Sequence, residues 1–493
     1  MVHHLGFWSR GPWFESGRDY QIRKNRQLKN DDWRNRQRSM ADELYESFNE
    51  LLPVASVVHI ALGAMALILV HRTKDKEWNE RFAGMLISWM MVMLGIQYVC
   101  STIIDYRVDQ LGNSDVSHFN TYDDIFYSAM SYGQGAMESA FHATIVILPL
   151  IYPYPLIQKQ NAIRVCTVVI LSISLILVPL DIFTEFSYRW VKGILMWSGY
   201  FIWIPVYLRF LFGEMLYEEK GARAISSATL LLLLAVYGQV YIFWLQDLTG
   251  AASIYFSRWE VEDLVPQTFL SSSIAMIMLA LEGTTFLVIF FGEMWRSFRK
   301  GMGGLGLVVS LVFVVGVIWY ILTLVNYDTA ESCIQTICQP WNENFVDWYV
   351  FTYQVAKFLG VPLVFMFILL NYNMVDTDAE GSKMITRIMV LLLILVATSS
   401  LIEMIQIILP IPEMITSALF AAGVVVFIGW EERIMDQIIT ETSSAAESVK
   451  NLLGVSTISI SEGEYRFFSM AMICLISYCL LIALLLDSMG IHE

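Results

Sequence analysis

The sequence predicts an all-α polytopic membrane protein. It has about twelve transmembrane helices, arranged as a tandem, parallel six-plus-six duplication. Three observations predict this. The first is composition: 56% of the 493 residues are hydrophobic and 16% are charged, where a soluble chain carries roughly 25% charge. Mean hydropathy is +0.55. The second is that the apolar residues come in uninterrupted runs, each near the roughly 20 residues needed to cross about 30 Å of hydrocarbon. The third is that the spacing of the runs recurs.

The runs of the first block are 51–70, 82–104, 129–150, 162–183, 191–213 and 224–245. Those of the second block are 268–291, 304–326, 346–370, 385–409, 413–430 and 465–486. Corresponding starts lie about 220 residues apart for the first five pairs, and only the sixth is further displaced. Irregular features recur as well. Each block has a short basic loop after its first run and a long loop after its second. Arg164 followed by Asp181 parallels Arg387 followed by Glu403. An even number of spans per block makes the repeat parallel. Residues 40–247 then form the first half, and 248–430 the first five helices of the second. Residues 431–464 are an insertion, and 465–493 carry the last helix. In the insertion Ile434, Met435, Ile438 and Ile439 share a helical face, continued by Val449, Leu452 and Leu453. It reads as an amphipathic segment on the membrane surface or as a docking site for a cytoplasmic partner.

Lys and Arg alternate between loops. Arg72, Lys74, Lys76 and Arg81 fall in one basic loop, and Lys159 and Arg164 in the next. Then come Arg209, Lys220 and Arg223; Arg296, Arg299 and Lys300; and Lys383 and Arg387. The intervening loop 105–127 holds Arg107 alone, and 328–345 has no Lys or Arg. The positive-inside rule makes the basic loops cytoplasmic, so both termini are expected outside a cell-membrane protein. Arg189 and Lys192 run against this pattern. Cys333 and Cys338, in an expected outer loop, are a disulfide candidate; two free thiols are the alternative. Cys100, Cys166, Cys474 and Cys479 fall in apolar runs and read as packing residues.

Residues 1–39 break the charge pattern with nine Arg and Lys. They read either as a disordered arm or as a stretch translated from an upstream gene. Trp13-Phe14-Glu15-Ser16 can be encoded by TGG-TTC-GAA-TCC, which matches the usual T-arm of a transfer RNA gene. Met40, before Ala41-Asp42-Glu43-Leu44, is the expected start, and residues 1–39 are set aside.

Ionisable groups inside hydrocarbon cost roughly 2.5–3.5 kcal/mol at a helix centre and mark functional or structural pairs. The candidates are His59, Glu138, His142, Glu282, Lys357 and Glu403, with Asp181 nearer a helix end. Glu138 and His142 are four apart and share a helix face. Gly133-Gln134-Gly135, just before them, would loosen the helix and admit water. Under the repeat Lys357 takes the place of Glu138, so the two could meet as a charge pair across the duplication axis. The same pair could instead be a static bridge. His59 alone reads as a packing histidine, and Glu403 as a carboxylate reaching outward. Gln239, Gln246, Gln354, Gln406, Tyr237 and Tyr353 would add polar lining or interhelical hydrogen bonds.

A net charge of −15 and a pI near 5.0 argue against nucleic acid as a partner. Metalloprotease and phosphate-loop motifs are absent, and no cysteine pattern suits a metal site. No cofactor is expected. A bis-histidine haem would have to use His59 and His142, the two intramembrane histidines. Ala356-Lys357-Phe358-Leu359-Gly360 and Tyr188-Arg189-Trp190-Val191 resemble segments of the seventh and third helices of microbial rhodopsins. That resemblance implies a retinal lysine at Lys357. The counter-ion positions are Lys192 and Tyr353, however, and a protonated Schiff base needs an acidic partner there. The expected function is a proton- or cation-coupled transporter. A non-transporting subunit or sensor is the first alternative, and a retinal- or haem-binding protein the second.

Overall fold

A computed structural model describes residues 52–73, 78–110, 125–183, 189–219, 221–248, 269–300, 360–372, 374 and 462–488. The described elements are all helical. They are α1 (Leu52–Arg72), α2 (Trp78–Gln110), α3 (Ile125–Ile151), α4 (Gln160–Phe183) and α5 (Arg189–Tyr217). Then come α6 (Ala222–Leu248), α7 (Phe269–Lys300), α8 (Val361–Asn371) and α9 (Glu462–Ser488). Five stretches, one in each of α1–α5, are long and apolar enough to cross a membrane.

In hydrocarbon every backbone N–H and C=O must be paired within the chain, which makes a continuous apolar run helical. The short polar side chains in these runs obey the same constraint. Ser88, Thr102, Thr229 and Thr285 each donate to the carbonyl four residues earlier, at 2.7–2.8 Å. Proline is tolerated: α3, α4 and α5 contain Pro149, Pro179 and Pro205.

From α1 to α7 consecutive helices pack as neighbours, and α5 is the hub, touching α3, α4, α6, α7 and α9. Helix α8 packs on α1, α2 and α6. Apolar side chains gain little by leaving lipid for protein, so close approach and hydrogen bonds must hold such helices together. Two glycines bring α1 and α2 together. A Cβ on Gly95 would lie 2.9 Å from the backbone nitrogen of Ile60, and one on Gly63 3.0 Å from the carbonyl oxygen of Ser88. Aromatic rings join α5 to α6. Trp197, Tyr200 and Trp203, at three-residue steps along α5, surround Tyr237 of α6. Tyr200 and Tyr237 stack at 3.8 Å between centroids, and the Tyr237 hydroxyl donates to the Met196 carbonyl at 2.7 Å. All four rings are fully buried.

Contacts at the helix ends fix the relation of the loops. The Tyr152 and Tyr372 rings meet at 6.5 Å, Tyr154 packs against Phe210 and Phe468, and Lys300 bonds Glu218 at 3.1 Å. The last residues of α1, α3, α5, α7 and α8 and the first of α2, α4, α6 and α9 therefore gather at one end. Arg72, Lys159, Arg164, Arg209, Arg223, Arg299 and Lys300 all belong to this end, called the basic end below. Arg189 begins α5 at the opposite end.

Several of these basic residues are not in loops. Helix α7 runs to Lys300, past the run predicted to end at 291, and Arg209 lies inside α5. The link between α5 and α6 spans only 218–221. A helix continues beyond its apolar stretch where neighbouring helices and links offer its charged side chains partners, as Tyr207 does for Glu293 and Glu218 for Lys300.

Candidate functional site

Helix α3 carries a buried polar stripe. Ser131, Gln134, Glu138 and His142 follow at three- and four-residue steps, with Ser139 beside them, and all are buried. The helix runs unbroken through Gly133-Gln134-Gly135, so these glycines do not open the backbone. Gln97 and Ser101, on α2, are buried too, and α2 packs on α3. Glu138 is 6% exposed, and no basic side chain among the described residues lies within ion-pair distance of it. Burial of both Glu138 and His142 places their shared face inward.

His59 is fully buried, but its contacts are with α1 and α2. Its Nδ1–H donates to the Ala55 carbonyl at 2.8 Å, and its ring meets Tyr98 edge-on at 5.2 Å. Nε2 of His59 has no hydrogen-bond partner among the described residues. This is the geometry of a packing histidine at the α1–α2 seam.

The remaining candidates are placed only in part. Asp181 lies near the end of α4 and Glu282 within α7, their side chains outside the described set. Lys357, Glu403, Cys333 and Cys338 lie outside the described residues. So do Gln354, Gln406, Tyr353 and the insertion 431–464. Cys100, Cys166, Cys474 and Cys479 are free thiols. Among the described residues no group of three or more His, Cys, Asp or Glu is placed to hold a metal ion.

A second polar cluster, which the spacing of apolar runs does not show, sits at the basic end. Glu293 of α7, 2% exposed, is its centre. Its Oε1 accepts from the Tyr207 hydroxyl of α5 at 2.9 Å. Its Oε2 pairs with Arg296 one turn on and lies 3.9 Å from Nη1 of Arg223 on α6. Arg223 is also within electrostatic reach of Glu214 on α5 and Tyr372 after α8. At the rim, Arg209 holds Glu219 through two hydrogen bonds, at 3.0 and 3.1 Å. Burial pushes the Tyr372 hydroxyl above the usual tyrosine range, partly offset by Arg223, so it stays a neutral phenol.

A sequence signal for this cluster exists. The tetrapeptide Phe-Gly-Glu-Met occurs twice, at 212–215 near the end of α5 and at 291–294 near the end of α7. Both glycines sit at close approaches. A Cβ on Gly213 would lie 2.6 Å from Glu219 Oε2, and one on Gly292 2.7 Å from the Tyr207 hydroxyl. The two glutamates that follow, Glu214 and Glu293, both act on Arg223.

No family model, curated protein or solved structure matches the chain.

Proposed function

We propose that the chain is a proton- or cation-coupled transporter with about twelve spans in two homologous six-helix halves. Its site is Glu138 and His142 of α3 with Lys357. Glu282, Asp181 and Glu403 are its supporting groups. The basic end faces the cytoplasm by the positive-inside rule, and both termini face outward. Substrate enters from outside, and one half rocks against the other.

The observation that carries this reading is a buried carboxylate, Glu138, for which no described residue supplies a cation. A charge in hydrocarbon is retained only with a partner, a proton or access to water. The sequence spacing gives Lys357 a matching register. Glu138 precedes Tyr152 by 14 residues, and Lys357 precedes Tyr372 by 15. The Tyr152 and Tyr372 rings touch. At 1.5 Å per residue, an α8 extended upstream as helix would bring Lys357 about 22 Å above that contact, against about 21 Å for Glu138. Helices α3 and α8 also share a neighbour in α2.

The test is flux in proteoliposomes, measured for protons and monovalent cations, with wild type, Glu138→Gln and Lys357→Met. The reading expects wild-type flux and a loss of tenfold or more in both variants, about 1.4 kcal/mol in barrier terms. Flux that neither substitution changes would sink the site. Absence of flux with a large loss of stability in both variants would make the pair a static bridge in a non-transporting subunit.

A further inference from the structure

We infer that the twin Phe-Gly-Glu-Met segments build a latch. It holds α7 against the α5–α6 hairpin and closes the basic end of the bundle between the two proposed halves. The latch has three parts. Glu293 receives the Tyr207 hydroxyl from α5 at 2.9 Å and lies 3.9 Å from Arg223 on α6. Lys300, in the last turn of α7, bonds Glu218 in the link between α5 and α6 at 3.1 Å. Arg296 pairs with Glu293 from the same helix and supplies its carboxylate with a cation.

Every interhelical bond in this set crosses the same seam, with α5 and α6 on one side and α7 on the other. Sequence order puts that seam between the sixth and seventh spans, the junction of the duplication. The packing is fitted to the latch. Gly292 has no Cβ, and this lets α7 approach close enough for Glu293 to reach Tyr207; an alanine there would put its Cβ 2.7 Å from the Tyr207 oxygen. On the other side Gly213 leaves room for the Arg209–Glu219 pair, which ties the link to α5.

The chemistry suits a contact that opens. A buried ion pair gains little over apolar residues of the same volume, because desolvation offsets the attraction, yet removing one partner strands the other. The network is also incompletely met. Nη1 of Arg223, Nη1 of Arg296, Oε2 of Glu293 and Oε2 of Glu214 are buried without hydrogen-bond partners among the described residues. Such a cluster holds the seam less firmly than the ring stack holds α5 to α6, so the seam parts first. The use of the latch rests on the transport reading, but its opening can be measured without transport.

The experiment is hydrogen–deuterium exchange by mass spectrometry on the full chain in lipid nanodiscs, comparing wild type, Glu293→Gln and Tyr207→Phe. Glu293→Gln should speed exchange about tenfold in peptides 208–217 and 289–300, with peptides of α1 and α2 unchanged. Tyr207→Phe removes a single hydrogen bond and should give about threefold in the same peptides, which keeps the test open if Glu293→Gln does not fold. Unchanged exchange at the seam, or equal loosening of α1 and α2, overturns the latch. Local opening in a protein without flux sinks the transport reading and leaves the latch standing. Glu138-dependent flux without local opening does the reverse.

Discussion

At the residue scale, the most telling comparison is between Glu138 and Glu293. Glu138 interrupts an apolar run, so its burial was legible in the sequence, and His142 four residues on placed both on one face. Glu293 lies beyond the run, among Arg296, Arg299 and Lys300, where hydropathy does not separate a loop from a continuing helix. Only the neighbours that meet it, Tyr207 and Arg223, decide that it is buried. Aromatic side chains divide in the same way. Tyr237, whose place in an apolar run suits polar lining or an interhelical hydrogen bond, makes the second: its hydroxyl donates to the Met196 carbonyl. Tyr237→Phe should cost about 1 kcal/mol, and Trp203→Ala, which empties a fully buried site and removes a hydrogen bond to the Tyr152 carbonyl, about 3 kcal/mol. Thermal unfolding in detergent reads both. A Trp203→Ala protein as stable as wild type would show that the α5 stack does not hold the bundle.

At the element scale, the apolar runs gave the helices and little about their partners. Helices α1 and α4 have similar runs, yet 50% of the α1 window is buried against 22% of the α4 window. Val165, Val168 and Ile176 of α4 are each more than 60% exposed, as a lipid-facing helix requires. Run length cannot separate the two, because lipid and protein interior are equally apolar. Glycine positions separate them after the fact. Gly95→Leu would drive a Cβ into the Ile60 and Ser56 backbone, which cannot move aside, and should cost about 1–3 kcal/mol or prevent folding. Gly135→Ala, whose Cβ would meet Val178 at an ordinary 3.5 Å, should be neutral or stabilising by up to about 1 kcal/mol. Equal melting temperatures for the two variants would contradict the close α1–α2 contact.

At the scale of the whole molecule, the alternation of charge along the chain and the geometry agree on one point. The described basic segments, apart from the start of α5 at Arg189, share one end of the bundle. Single cysteines at Lys159, Tyr217 and Phe298, in a background without the native thiols, should react with a membrane-impermeant maleimide from one side only. Reaction of Phe298→Cys from the side opposite to Lys159→Cys would break the shared end. Which side reacts settles whether the basic end is cytoplasmic, as proposed.

By itself the sequence determined that the described elements are helices and that five stretches are long and apolar enough to cross a membrane, because in hydrocarbon an uninterrupted apolar run must pair every backbone group within itself. It also picked out Glu138 and His142, since a charge inside such a run is costly enough to stand out. Only the tertiary structure decided which helix is the hub, that His59 packs against Tyr98, and that Glu293, Arg223 and Tyr207 converge from three helices. Those outcomes depend on which side chains meet across helix pairs, and a hydropathy pattern records where each helix is without recording what it faces.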